Sequence, residues 1–254
     1  MTKTIVVGNH KGGIGKTSLV FNLGHLLSET MKVLLVDTDP QFSLTVACGI
    51  GETDKNLARV IGAHEKGDLS MSQIIEPLGE SLALAPSGIA LSMSELGIVS
   101  RLGRENLLRK ALATVANDYD LILIDAPPAL NLIAINGLTA SNGVIAPIIP
   151  QSIDLNGLRL YLNTIENIRE ELNPDLQLIG IVPTFYDSRL KHHGEAIEIM
   201  RDGGLPLLPP IGRSVKVAES MDHGQPLIRY DKRNKQVMAF SELASEITKW
   251  LKRI

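Results

Sequence analysis

Lys11 and Lys16 stand five positions apart in the run NHKGGIGKTSLV, residues 9–20, with Gly12, Gly13 and Gly15 between them. Glycine lets a backbone turn tightly and approach a ligand closely, so consecutive N–H groups can converge on one anion. Lys16, at the end of the loop, offers a point charge to the β- and γ-phosphates of a nucleotide, and the hydroxyl of Thr17 suits Mg2+. Ile14 and Ser18 complete the stretch that would wrap the phosphates. The usual GxxxxGK[ST] pattern asks for glycine six residues before Lys16, where this chain has His10. The same glycines would also serve a tight turn packing a helix on a strand. One lysine is enough to hold a phosphate, so Lys11 is surplus to that task.

Acids farther along fit the same chemistry. VDTDPQ places Asp37 and Asp39 after an apolar run, and YDLILID places Asp125 after another. A carboxylate at the end of a strand lies at the edge where open α/β sheets bind ligands, and where Mg2+ is organised. Taken singly, each aspartate could equally cap a helix or begin a turn.

These side chains need a frame to hold them. Apolar, β-branched runs begin at Thr4, Lys32, Leu82, Tyr119, Gly143 and Leu176, and segments of helical period separate them. That alternation predicts a doubly wound, mostly parallel sheet with helices on both faces. After Gln151 the period is clear, with Leu158, Tyr161, Leu162, Ile165, Ile168 and Leu172 on one side of a helix that Asn173-Pro174 should stop. The polar, glycine-containing stretch 49–67 reads as a surface excursion between the second and third strands.

The 254 residues suit one α/β domain, residues 1–254, and the early first strand leaves no room for a preceding helix-turn-helix. Hydrophobic content of 44% and charged content of 21% are those of a folded soluble chain, with no apolar run of about 18 residues. A lone Cys48 makes no internal disulfide and no CxxC site, which suits a reducing cytoplasm. The net charge of −3 argues against a generally polyanion-binding surface, but it is unevenly spread: residues 181–254 carry 12 Lys+Arg against 9 Asp+Glu, the rest 13 against 19. Contact with nucleic acid, if any, belongs to the last third.

KGGIGKT, VDTDPQ, LILIDAPP, IGRSVKVAES and IRYDKRNK together resemble the ParA/Soj partition ATPases of the deviant Walker A group, over nearly the whole chain. The resemblance implies a P-loop fold that binds ATP and Mg2+ and hydrolyses ATP slowly. It assigns Lys11 to the triphosphate of a second copy, so that two protomers close as a homodimer around two nucleotides. Asp39 would position the attacking water, and Thr17, Asp39 and Asp125 would serve the metal. Adenine would lie between Thr184 and the segment at Ile211 and Gly212. Three departures stand out: IGRS where relatives have I-P-R-N, Phe42 where they place glycine, and His10 where they place glutamine.

The family's ATP-bound dimer binds double-stranded DNA without reading sequence, which a few clustered cations can do by phosphate neutralisation. The first candidates are Arg213 and Lys216, which match basic positions of the family's I-P-R-N-V-R segment, followed by Arg189, Lys191, Arg229, Lys232, Arg233 and Lys235; solvated surface charge is the alternative. A ParB-like or other adaptor would stimulate hydrolysis, in a cytoplasmic, nucleoid-associated cycle that positions a plasmid, chromosome or other cargo. The competing reading is a MinD-like membrane-cycling ATPase, because Val237, Phe240, Ala244, Ile247, Leu251 and Ile254 recur at helical spacing. No spacer precedes that helix, which favours docking on the core. A metabolic ligase or an iron-sulfur reductase on the same scaffold is a third class; the reductase needs two cysteines per subunit.

Overall fold

A computed structural model describes residues 2–62 and 68–253. The apolar runs form strands β1 (Lys3–Val7), β2 (Val33–Asp37), β3 (Glu76–Pro77), β4 (Leu82–Ala85), β5 (Leu121–Asp125), β6 (Gly143–Ile148), β7 (Gln177–Tyr186) and β8 (Ile211–Gly212). They share one sheet in the order β3-β4-β2-β5-β1-β6-β7-β8, and every neighbouring pair is parallel except β3 with β4. Strands β2, β4, β5 and β6 are buried along their whole length. Helices cover both faces, so neither set of side chains meets water and the strands are apolar throughout rather than alternating.

The helices are α1 (Lys16–Leu27), α2 (Ser43–Ala47), α3 (Leu57–Ile61), α4 (Met71–Ile74), α5 (Ala90–Ile98), α6 (Leu107–Ala113) and α7 (Leu132–Thr139), followed by α8 (Ser152–Glu171), α9 (Lys191–Asp202), α10 (Val215–Asp222), α11 (Leu227–Tyr230) and α12 (Lys235–Leu251). One core joins Val6, Leu34 and Ile124 of the sheet to Leu91 and Ile98 of α5 and to Leu158, Tyr161, Ile165 and Ile168 of α8. The other joins Ile5, Val7 and Leu35 to Leu19, Val20 and Leu23 of α1 and to Phe240, Leu243, Ala244 and Ile247 of α12. The expected doubly wound sheet is therefore present. α8 ends at Glu171, just before Asn173-Pro174.

Two features depart from the expectation. Residues 49–67 are not wholly a surface excursion, because α3 lies inside them with Leu57, Ala58 and Ile61 buried and the Asn56 side chain capping Ala58 N–H; residues 63–67 lie outside the described residues. The short strands β3 and β8, of two residues each, carry no period that a pattern could reveal. Among the described residues no helix is long and apolar enough to cross a membrane.

Candidate active site

The chain leaves β1 at the centre of the sheet, between β5 and β6, turns through residues 8–15 and enters α1. Gly13 and Gly15 have φ of +69° and +88°, a left-handed backbone that side chains other than glycine adopt at a cost of about 1 kcal/mol or more. Gly15 caps α1 without any side chain bonded to the helix end. The first N–H groups of a twelve-residue helix are thus left for a ligand, at its positive end.

Lys16 is buried, and its Nζ donates to the carbonyl oxygens of Lys11 at 2.8 Å and Asn9 at 3.4 Å, so the ammonium lies under the loop. Burial lowers its pKa, while the carboxylates of Asp125 and Asp39 oppose that shift. Lys11 behaves differently. Its backbone N–H donates to Asn9 Oδ1, but its side chain reaches away from the glycine loop and pairs with Asp154 in the first turn of α8. Asp154 is buried, and its second oxygen has no partner. The two lysines therefore do different things: one braces the loop from inside, the other stands at its rim on a single buried carboxylate.

The acids meet at the carboxyl edge. In the strand register Asp37 lies beside Asp125, and Val7, the last residue before the loop, flanks Asp125 on the other side. Asp37 accepts hydrogen bonds from Asp39 N–H (3.1 Å), Thr45 N–H (2.9 Å) and the Thr45 hydroxyl (2.8 Å). Burial nevertheless pushes its carboxyl up to about 6. Asp125 is buried, and among the described residues the Thr17 hydroxyl is the one side-chain donor placed toward its carboxylate. Burial, then the neighbouring Asp37, drive its pKa well up, and Thr17 and Lys16 pull in the opposite direction. Two buried acids side by side, one with few partners for its charge, form a site that suits a cation. Asp39 is half-buried on the turn after β2, with Gln41 N–H bonded to its Oδ1. It begins a segment that includes Phe42, whose φ of +44° explains why glycine would be at home there.

The residues assigned to adenine come together. Gly15, Ser18, Thr184, Ile211 and Gly212 line one small apolar cavity of about 110 Å³, closed by Leu19, Phe185 and Phe240. Thr184 is buried, its Oγ1 has no partner, and its Cβ and methyl face Gly15. Gly212 donates its N–H to Gln236 Oε1 at 2.6 Å, a bond that proline at this position would lack. Its hydrogen atoms also face the Gln236 amide, where a Cβ would lie 2.7 Å from Nε2. The departure at Gly212 thus has a local reason: the first turn of α12 holds β8 through this bond.

The basic candidates divide. Arg189 is held by both oxygens of Asp187, and Lys216 pairs with Glu219 at 2.7 Å and lies 5.7 Å from the Tyr230 ring centre. Lys191 lies 3.5 Å from Glu195, whereas Arg213 and Arg229 make no salt bridge among the described residues. Arg189, Arg213 and Lys235 border one open cleft of about 700 Å³ beside the adenine slot. His10 packs edge-on against Tyr161, and burial, then Lys16, lower its pKa. Asp154 and Gln236 escape sequence reasoning, because one is an ordinary first-turn acid and the other an ordinary helix residue until their distant partners are known.

Comparison with known proteins places this geometry. A family model described as AAA domain matches residues 2–178. Sporulation initiation inhibitor protein Soj of Bacillus subtilis (strain 168) is 36% identical over 253 residues, covering 97% of this chain and 98% of that protein. Chromosome-partitioning ATPase Soj of Treponema pallidum (strain Nichols) is 35% identical over 254 residues, with 97% of each covered. The chain belongs to the AAA domain family and, within it, to the ParA/Soj partition ATPases. A solved structure of cobyrinic acid a,c-diamide synthase from Mycobacterium smegmatis, with bound ATP analog and magnesium, is 34% identical with a TM-score of 0.85, covering 98% of this chain and 95% of that one.

Proposed function

We propose that this protein is an ATP-driven positioning switch: ATP and Mg2+ bring two copies together face to face, the dimer holds DNA without reading its sequence, and a separate adaptor protein triggers hydrolysis and release. The observation that carries the reading is Lys11, held at the rim of the loop by Asp154 while Lys16 alone braces the phosphate cradle. A second ammonium placed there adds positive charge where the γ-phosphoryl group spreads its negative charge, if a neighbouring copy presents its own site.

The residues fit both cofactors. The N–H groups at the start of α1, with Gly12, Gly13, Ile14 and Gly15, would cradle the phosphates, and Thr184 with Ile211 and Gly212 would enclose the base. Thr17 and the buried Asp125, with Asp39 nearby, would hold Mg2+. Mg2+ bound there would supply charge neutralisation to the phosphates. Asp39, half-exposed at the mouth, would orient the attacking water, and Lys16 and Lys11 would steady the charge that develops as the bond to the leaving phosphate breaks.

DNA would meet Arg189, Lys191, Arg213, Lys216 and Arg229. Arg213 and Arg229 come first because no carboxylate occupies them, and exposed pairs such as Lys216–Glu219 exchange readily for phosphate. The experiment compares affinity for nonspecific duplex DNA with ATP, with ADP and without nucleotide. Tight binding with ATP alone, weakening steeply with salt, supports the reading, and equal affinity in all three states refutes it. The membrane alternative loses its motive, because α12 turns Phe240, Leu243, Ala244 and Ile247 into the core. A ligase reading, suggested by the synthase name, would need a second substrate site and a nitrogen donor. Cys48, the one thiol in the chain, is unsuited to nucleophilic release of that nitrogen, because burial, with Asp37 and Asp125 nearby, raises its pKa and keeps it protonated.

A further inference from the structure

Helix α5 is apolar on two opposite sides. Leu91 and Ile98 are fully buried in the core, while Ile89, Met93 and Leu96, at 57%, 69% and 73% exposure, fall within about 60° of one another on the outer side. Val99 and Leu102, just past the helix, and Leu130, in the loop before α7 that Glu95 holds, are exposed as well. Soluble helices ordinarily keep the side away from the core polar, and contiguous exposed apolar surface of this kind marks an interaction site.

The position of the strip says what covers it. Glu95, the only charged residue between 86 and 100, turns inward and accepts hydrogen bonds from Leu132 N–H at 2.8 Å and Asn131 Nδ2 at 3.0 Å, which pins α5 to the start of α7. The same loop carries Pro128, whose Cβ lies 3.5 Å from where a Cβ on Gly12 would be. Exposed Pro128 and Leu130 therefore lie between the glycine loop and α5, so a copy that covers the loop lies next to the strip.

A two-fold contact sets each patch against surface of the same molecule, and residues 89–99 turn no charge outward to repel their copy, Arg101 and Arg104 standing at the Leu102 end. Six large apolar side chains, each offering on the order of 100 Å², come to roughly 600 Å², close to the roughly 800 Å² per partner of a standard interface.

We infer that the outer side of α5, with Leu130, is buried against a second copy of this chain in the nucleotide-bound dimer. The inference rests on the dimer reading above and adds an apolar clamp beside the charged one. Met93→Glu/Leu96→Glu in the full chain tests it, with Met93→Gln/Leu96→Gln as an uncharged second variant. Sedimentation with Mg2+ and a non-hydrolysable ATP analogue measures association, and a fluorescent ATP analogue measures binding to the monomer.

The wild-type chain should dimerise, and both variants should associate at least about 30-fold more weakly while binding nucleotide as wild type does. Unchanged association in either folded variant overturns the inference and leaves the dimer reading standing. Intact dimers that instead lose binding to vesicles or to an adaptor protein also overturn it, by giving the strip to another occupant. A wild-type chain that stays monomeric with the analogue removes the dimer reading and this inference together.

Discussion

Removing Lys11 and removing Asp154 should have unequal consequences, although the two residues form one ion pair. The Lys11 side chain is 49% exposed, and that of Asp154 only 6%, with one oxygen already unpartnered. Lys11→Ala would leave a buried carboxylate with no partner at all. Breaking a fully buried pair in this way costs about 3–5 kcal/mol, and solvent reaching in from the lysine side reduces the effect here to about 2 kcal/mol. Asp154→Ala would release an ammonium that water hydrates freely. It loses an exposed-type pairing of about 0.2–1 kcal/mol and a first-turn acid worth about 0.5 kcal/mol, and it also removes the poorly satisfied buried charge. The net change should stay below about 1 kcal/mol. Urea unfolding of the nucleotide-free monomer at neutral pH measures both. The double variant should recover most of the loss caused by Lys11→Ala alone. Equal losses for the two single variants, or a double variant no better than Lys11→Ala, would show that Asp154 is not a buried charge dependent on Lys11.

The acidic pair predicts a pH effect in Mg2+-free protein. A carboxyl raised in the fold, as Asp37 is from 3.8 to about 6, penalises folding once ionised; the penalty grows as pH rises from 3.8 and is complete above about 6, at about 3 kcal/mol. His25, pulled down to about 4 by burial, acts oppositely below its ordinary 6.5, so wild type alone is a poor probe. Asp125→Asn removes one acid without touching the histidines, and its gain in urea midpoint over wild type should be larger at pH 8 than at pH 5; a pH-independent difference contradicts the shifted acids. Thr184→Val should weaken nucleotide binding about five- to tenfold by titration and leave the urea midpoint unchanged or higher, because the hydroxyl has no partner in the fold. Unchanged affinity would take Thr184 out of the adenine slot.

The placement of the glycine loop and the strand-end acids was legible because it is local: a strand end, a turn of glycines and a helix start position Gly12 through Ser18 without help from afar. Asp154 pairs with a residue 143 positions away, and Gln236 with one 24 away, so no local pattern marks either. Helix α3 was hidden because five residues with three buried members hold too little period to stand out from a polar neighbourhood. Phe42 stood out in the sequence only as a departure; the left-handed backbone supplies its physical meaning.

Helix α12 is joined to the nucleotide region twice. Gln236 in its first turn steadies β8 through the Gly212 N–H, and Phe240, Leu243 and Ile247 form the wall against which α1 is seated. A chain trimmed from residue 241 onward would keep only Phe240 of those three, so α1 would sag from behind. Trimming therefore reads out the integrity of the pocket, and only point substitutions on the outer side of α12 can probe what else the helix touches.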